Sequence, residues 1–562
     1  MIRLGTGELT PATVARLADG PLHDPVGLDG PTADRMNRSV GLRDRLVASG
    51  EPLYGVTTGF GDRNIGHIPA AAAAELQHNL IRYHLVGSGP EACAPIVRAT
   101  MLIRANCLAR GCSGVRRDVV DLLLNCLRHD ILPQIPERGS VGASGDLVPL
   151  CYLASLLIGE GTAVHRGERR PAREALAAAG LRPLDLQPKE ALALINGTSF
   201  MAAFAVHAAA EARRLADVAE ACTALAVEVL LGNRDHYHPV IHRQKPHPGQ
   251  VRSAARIRAL LDGSRLARDH AGVLHDNRAD DDGAAPEHYR RLDHPIQDRY
   301  SVRCAPHVIG VLHDTLDWVD RWLDTEINST NDNPLFDPDG DRVHNGGNFY
   351  GGHVGLAMDS LRVAVASVGD LLDRQLACVV DEKFSNGLTA GLTAPTAPGD
   401  PRAGLHHGFK GAQIACSALV AEALSLGMPA TAFSRSTEAH NQDKVSMATI
   451  GARSTRTVTG LVFEAAAIQL AALCQAADLR GAHLLGPGTA EVYRLVRRHV
   501  AFMTADRRLD TELASLAEAL RTSGTARGPG TALTSAAART PGTAQAAAQA
   551  GPPARIAEDT HA

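Results

Sequence analysis

Residues 201–231 read MAAFAVHAAAEARRLADVAEACTALAVEVLL. Apolar side chains return every three or four positions, and neither Gly nor Pro interrupts them, so the spacing predicts one long helix with an apolar face. Residues 461–479 repeat the pattern, and so do residues 356–380 apart from the isolated Gly369. The longer of these runs exceed ordinary globular helix lengths and predict a bundle that passes through the molecule. Strand signals are few and short. The expected fold class is therefore mainly α, a large bundle of long central helices with an active site built from loops. Those loops are polar and Gly-rich: YGVTTGFGDRNIG, NGTS, QDRYSVRCAP, NSTNDNPLF and NGGNFYGG. Residues 265–295 read as a charged surface excursion. From about Thr522 the chain turns to Ala, Thr, Gly and Pro, the composition of a disordered tail. The expected organisation is an N-terminal domain over 1–195, a long-helix bundle with a C-terminal helical region over 196–521, and the tail over 522–562.

Composition sharpens this picture. Of 562 residues, 45% are apolar but only 4% are aromatic, so the core must be built from Ala, Leu and Val, which suit close helix packing. The formal charge of -4 balances 57 basic against 61 acidic residues and gives no electrostatic case for nucleic acid or an anionic membrane. Ten cysteines carry no C-x-x-C pair, and the first twenty residues hold no apolar signal core. The longest stretch without Asp, Glu, Lys or Arg, residues 191–210, contains Asn196, Thr198, Ser199 and His207, unlike a membrane span. These features point to a cytoplasmic protein with reduced thiols. Helices as charge-poor as 201–231 carry more Ala and Val than one monomer's outside would tolerate, which points to self-association.

Several candidate chemistries are weak. His236, His238, His242 and His247 cluster in HYHPVIHRQKPHPG, and acids cluster in RADDDG, but neither has ligand spacing and no H-E-x-x-H occurs, so no metal site is expected. VGASGD lacks the G-x-S-x-G of a nucleophile elbow. Ala143-Ser144-Gly145 has a more unusual capacity. Such a tripeptide can bend until the third residue's amide nitrogen meets the first residue's carbonyl carbon, an approach that Gly does not obstruct. Closure and loss of two waters, one carrying the serine hydroxyl, leaves a conjugated ring with an electrophilic methylidene carbon.

The surroundings give that tripeptide its meaning. YGVTTGFG (54–61), GASGDLVPL (142–150), LALINGTS (192–199), QDRYSVR (297–303), EINSTNDNP (326–334), GGNFYG (346–351), DEKFSNGL (381–388), GFKGAQIA (408–415) and HNQDKVSM (440–447) occur in this order. Over residues 54–479 the chain resembles the aromatic amino acid ammonia-lyase and aminomutase family. The resemblance implies a 4-methylidene-imidazol-5-one (MIO) group formed autocatalytically from Ala143, Ser144 and Gly145, with no metal or pyridoxal phosphate. It makes Tyr54 the base for the substrate's β-proton and Tyr300 a second polar group near the amine. Arg303 holds the substrate carboxylate through its guanidinium fork. Asn196, Gln297, Asn348 and Gln442 hydrogen-bond the MIO, the substrate or the tyrosines, and Phe349 lines the ring pocket. The implied reaction joins the substrate amine to the electrophile, removes a β-proton and releases ammonia and an arylacrylate. The implied assembly is a homotetramer with each site lined by loops of three subunits.

Two places address the substrate. Histidine-specific members of the family carry Glu where this chain has Gln442, and Lys410 and Glu438 also look like the phenylalanine type. Phenylalanine-type members carry Phe-Leu where this chain has Tyr83-His84. A buried imidazole facing an unsubstituted phenyl ring lacks a partner, so the expected substrate is tyrosine or another hydroxylated aryl-alanine. Aminomutase, histidine ammonia-lyase and a ring-less binding paralogue are the alternatives.

Overall fold

The computed structural model describes residues 1–277, 288–289, 291–292 and 294–523. Nine helices build the bundle and the surroundings of the site and are numbered in chain order: α1 Ala73–Tyr83, α2 Ala94–Ala109, α3 Leu147–Leu157, α4 Glu190–Ile195, α5 Ser199–Val229, α6 Ala305–Ile327, α7 Gly352–Val380, α8 Lys410–Ser425 and α9 Ala448–Arg480. The protein is mainly α-helical. Helix α9 packs most extensively, against α7 and α5, with α6 against α5 and α7, and α8 along α7 and α9.

The small-residue core is what this composition requires. Every residue of α5 is buried except Ala210, Arg213, Arg214 and Asp217. Its start at Ser199 and end at Val229 fall two residues before the run read from the sequence, because Leu231 turns left-handed at φ 54°. Helix α9 begins thirteen residues before the expected 461, although Gly451 and Gly460 interrupt its pattern. Packing overrides that propensity cost: the Thr455 hydroxyl, for example, donates to Met358 O of α7 at 2.8 Å. Helix α9 is also long and apolar enough to cross a membrane by length and composition, but most of its apolar stretch is buried within the bundle.

Strands are short. Ile131–Pro133, Thr162–His165 and Glu168–Pro171 make an antiparallel sheet with Leu132 opposite Val164 and Ala163 opposite Arg170. Ser88–Glu91 pairs with Pro136–Arg138, which leads directly into the segment before α3. Residues 265–277 include a short helix, His270–Asp276. The acidic RADDDG lies outside the described residues. A last helix, Asp510–Ser523, covers the first two positions of the expected tail, and the rest of that tail also lies outside them.

Candidate active site

Between the Pro136–Arg138 strand and α3 the chain makes a turn in which Gly139, Gly142 and Gly145 all take positive φ. Gly142 and Gly145 sit at φ +69° and +73°. A Cβ on Gly142 would lie 2.2 Å from Ser446 Oγ, and one on Gly145 would lie 2.1 Å from the Gly197 carbonyl oxygen. The turn is thus wedged between two loops from distant parts of the chain. Ser140 Oγ accepts from Gly142 N and donates to Gly145 O, both at 3.0 Å. Asp146 N donates to Gly197 O at 2.7 Å, and Met447 N donates to Val141 O at 3.0 Å. Asn196 Nδ2 donates to Ser144 O at 3.0 Å, and Gln442 Nε2 donates to Ser144 Oγ at 3.1 Å. The Gln442 carboxamide is oriented in turn by Thr437, whose hydroxyl donates to its oxygen at 3.1 Å.

Asp146 joins three helix starts. Its carboxyl accepts from Thr449 Oγ1 of α9 at 2.7 Å and from Met201 N in the first turn of α5 at 2.8 Å, while its own backbone opens α3. Burial pushes this carboxyl up to about 7, against the pull of the Thr449 hydroxyl and the α5 amides. Three N-terminal helix ends, each with partial positive charge, therefore converge beside the Ser144 turn.

A cavity of about 740 Å³ opens over Ala143 and Ser144 and is lined by Tyr54, Tyr83, His84, Asn196, Phe349, Glu438 and Gln442. The Tyr54 hydroxyl accepts from Gly61 N at 3.0 Å. Burial raises its pKa above the ordinary phenol value, and the Gly61 N–H opposes that rise. Glu438 clasps the same loop: it accepts from Asp62 N at 3.1 Å, and a Cβ on Gly61 would meet its Oε1 at 2.1 Å. Glu438, Ala439 and His440 are all left-handed, with φ of 51°, 50° and 62°. Consecutive non-Gly residues there cost about 1–2 kcal/mol each, strain of the kind that persists where surrounding structure demands it.

His84 caps α1. Its Nδ1 contacts Leu80 O at 2.9 Å, which makes Nδ1 the protonated nitrogen. Burial lowers the pKa of the ring and favours its neutral form. Tyr83 lies against it, ring centroids 4.3 Å apart and tilted by 34°. His84 is thus satisfied on one side by a backbone carbonyl rather than by the Tyr83 hydroxyl, and Nε2 has no partner among the described residues.

The remaining expected residues do not reach this cavity within one chain. Gln297, Tyr300 and Arg303 line a separate cavity of about 970 Å³. Tyr300 is 72% exposed, and the Arg303 guanidinium lies 4.6 Å from its ring centroid while Nε donates to Asp298 O. Asn348 donates to Thr330 O at 3.1 Å and does not line the cavity that its neighbour Phe349 reaches. Lys410 is exposed at the first position of α8. Within one chain the expected single constellation therefore falls into parts, because the 297–303 segment lines a different cavity from the Ser144 turn. Conversely, the sequence reading passed over Asp146, Gly197, Ser446 and Thr449. The signal for Asp146 was its place directly after Ala-Ser-Gly, and the others needed the tertiary contact. Among the described residues no group of three or more His, Cys, Asp or Glu is disposed to hold a metal ion. His242 instead contacts His236 O at 3.2 Å and Gln250 Nε2 at 3.0 Å.

A family model for aromatic amino acid lyases matches residues 9–498. The chain belongs to the aromatic amino acid lyase family. It is 38% identical over 493 residues to histidine ammonia-lyase of Myxococcus xanthus, covering 88% of this lyase and 92% of that protein. It is 39% identical over 537 residues to tyrosine ammonia-lyase of Cupriavidus metallidurans, covering 94% and 98%. The crystal structure of tyrosine aminomutase from Streptomyces globisporus matches this lyase with a TM-score of 0.86 at 36% identity, covering 93% and 97% of the two chains. The protein is accordingly an enzyme, a carbon–nitrogen lyase.

Proposed function

We propose that this lyase eliminates ammonia from an L-aryl-alanine, with L-tyrosine preferred over L-phenylalanine, by means of an MIO group made from its own Ala143, Ser144 and Gly145. The observation that carries the reading is the pair of carboxamides on Ser144, Asn196 on the carbonyl and Gln442 on the hydroxyl. The residues present fit the group. Gly145 is bent at φ +73° with no room for a Cβ, as a ring-closing amide requires, and Gln442 holds the hydroxyl that ring formation must expel. An MIO supplies an electrophilic carbon that turns an amine into a leaving group.

The chain's own groups perform the rest. Asn196 donates to the Ser144 carbonyl oxygen, so negative charge drawn onto that oxygen meets a hydrogen bond already in place. The N-terminal ends of α3, α5 and α9 favour the same charge. Tyr54 accepts the β-proton, and the Gly61 N–H on its hydroxyl stabilises the phenolate. His84 offers Nε2 as an acceptor at the ring end of the cavity, which suits a phenolic hydroxyl. Phe349 lines the wall against the substrate ring, and Glu438 steadies the Tyr54 loop.

Gln297, Tyr300, Arg303 and Asn348 serve the site from neighbouring subunits in a homotetramer. Two facts support that assembly: these residues do not line the Ser144 cavity in their own chain, and Val311, Leu356, Val363 and Ile414 on α6, α7 and α8 expose apolar surface. Arg303 then holds the substrate carboxylate, and Lys410 adds a cation nearby. The test is turnover of L-tyrosine, L-phenylalanine and L-histidine by purified enzyme, read as ammonia and unsaturated acid, with light scattering on the same sample. Coumarate as the fastest product from a tetramer supports the proposal; urocanate as the fastest, or an active monomer, overturns it. The similarity to tyrosine aminomutase favours a second reading, which a β-amino acid among the products identifies.

A further inference from the structure

A guanidinium lies behind the Asn196 turn, where packing alone gives no reason for one. Arg104 sits on α2 and is completely buried. Its Nη1 donates to Asn196 O at 3.1 Å and to Asn331 Oδ1 at 3.3 Å, and its Nη2 reaches Cys107 Sγ at 3.2 Å. Its Nε has no hydrogen-bond partner. No carboxylate forms an ion pair with it among the described residues. The nearby Asp332 is occupied by Lys189 Nζ at 2.6 Å and by Ser113 Oγ at 3.1 Å.

Burying a cation without an anion in contact is costly, and an aliphatic side chain would fill the space at less expense. What the charge touches gives it a purpose. Asn331, held by Arg104 and by the Cys107 thiol at 3.1 Å, donates to Thr198 Oγ1 at 2.8 Å. Arg104 and Asn331 thus grip the 196–198 turn at both ends. They also sit where a side chain on Gly197 would be: a Cβ there would fall 1.9 Å from Nη1 and 2.6 Å from Asn331 Oδ1. The opposite face of the same turn touches the tripeptide loop, through Asn196 Nδ2 on Ser144 O and Gly197 O on Asp146 N. One peptide turn is therefore clamped between a buried cation and the reacting segment.

We propose that Arg104 is a positioning residue: it fixes the Asn196 peptide from beneath, so that the Asn196 carboxamide stays on the Ser144 carbonyl. The inference rests on the lyase reading above. It predicts an effect on the chemical step rather than on substrate binding, because Arg104 lies outside the cavity.

The test combines kinetics with a double-mutant cycle. Arg104→Met, which keeps length and removes charge and donors, should lower kcat by about tenfold or more with KM within about twofold. Loss of two waters from the Ala143–Gly145 peptide, read by mass spectrometry, should persist. In an Asn196→Ala background the same substitution should cost less than about twofold, because the group it positions is gone. Should Arg104→Met fail to fold, Arg104→Lys carries the same cycle, with a smaller kcat loss that again disappears in Asn196→Ala. Undiminished kcat, or an equal penalty in both backgrounds, overturns the inference. Wild-type turnover in parallel separates the two readings: no unsaturated acid from wild type refutes the lyase reading and removes the basis of this one, whereas wild-type turnover matched by Arg104→Met refutes the role of Arg104 alone.

Discussion

Substituting His84 by leucine tests the substrate preference at the atom said to set it. Nδ1 is committed to Leu80 O at 2.9 Å and burial favours the neutral ring, so on this cavity-lining residue Nε2 is the acceptor left for a substrate. A phenolic hydroxyl can donate to it. A phenyl ring cannot, and binding phenylalanine removes Nε2 from water without replacing the hydrogen bond. A stranded polar group of this kind costs about 1–3 kcal/mol, roughly ten- to hundredfold in the ratio of kcat/KM for the two substrates. Leucine has no acceptor, so in His84→Leu the ratio should fall by that factor or invert. The variant also leaves Leu80 O without the imidazole donor, a loss of about 1 kcal/mol that a modest drop in melting midpoint should report. The assay is competition: equimolar L-tyrosine and L-phenylalanine in one vessel, with coumarate and cinnamate separated and quantified at early times. A wild type that already prefers phenylalanine, with a ratio that His84→Leu leaves unchanged, would refute the reasoning and reduce His84 to a cap on α1.

Ser144→Ala should fold normally and turn nothing over, since no hydroxyl remains to be expelled; a pure variant with wild-type activity, or one that still loses two waters, removes the basis of the proposal. Tyr54→Phe should lower kcat by about a hundredfold. Because burial raises the Tyr54 phenol above its ordinary value of 10.0, wild-type rates should climb as pH rises towards that value, and a pH–rate profile of Tyr54→Phe should lack that limb. Mixing subunits tests the shared site: Tyr54→Phe and Arg303→Ala are each expected to be nearly inactive, yet co-assembled one to one they should regain up to about a quarter of wild-type sites, and no recovery from verified mixed oligomers would mean both residues serve the site from one chain.

The long helices were legible because their signal is local. An uninterrupted run of Ala, Val and Leu at helical spacing can hardly be read otherwise, and α5 was located to within two residues. Helix α9 was foreshortened because Gly451, Gly460 and a run of Ser, Thr and Arg weaken the pattern just where α7 packs against it. Helix α6 was not predicted, although Ile309, Leu312, Leu316, Val319, Leu323 and Ile327 keep helical spacing and its four aspartates lie off that stripe; its first residues, Ala305 and Pro306, were assigned to the preceding loop. The loops told a different story. Ser144, Asn196 and Gln442 were named from motif order, and the hydrogen bonds join them. The separation of Arg303 from Ser144 within the chain could not be read, because motif order says nothing about where a loop lies in space. Arg104 left a faint trace, a cation within the apolar segment APIVRATMLIRANCLA with no acidic residue to pair with along the helix.

The clamp on the Ser144 turn also has a consequence for timing. Its partners include Gly197 and the amides and hydroxyl at 446 and 447, and the Ser446–Gly142 contact spans 304 positions of chain. If the proposed MIO forms from this turn, a nascent polypeptide carries an ordinary Ala-Ser-Gly until the ribosome has delivered the start of α9 and that start has docked. Under the proposed reading, dehydration then waits on long-range assembly. Truncated or mispacked molecules would keep their serine hydroxyl and remain chemically inert, so the electrophile arises only in copies whose distant segments have already met, and the cell is spared a reactive carbon on unfinished chains.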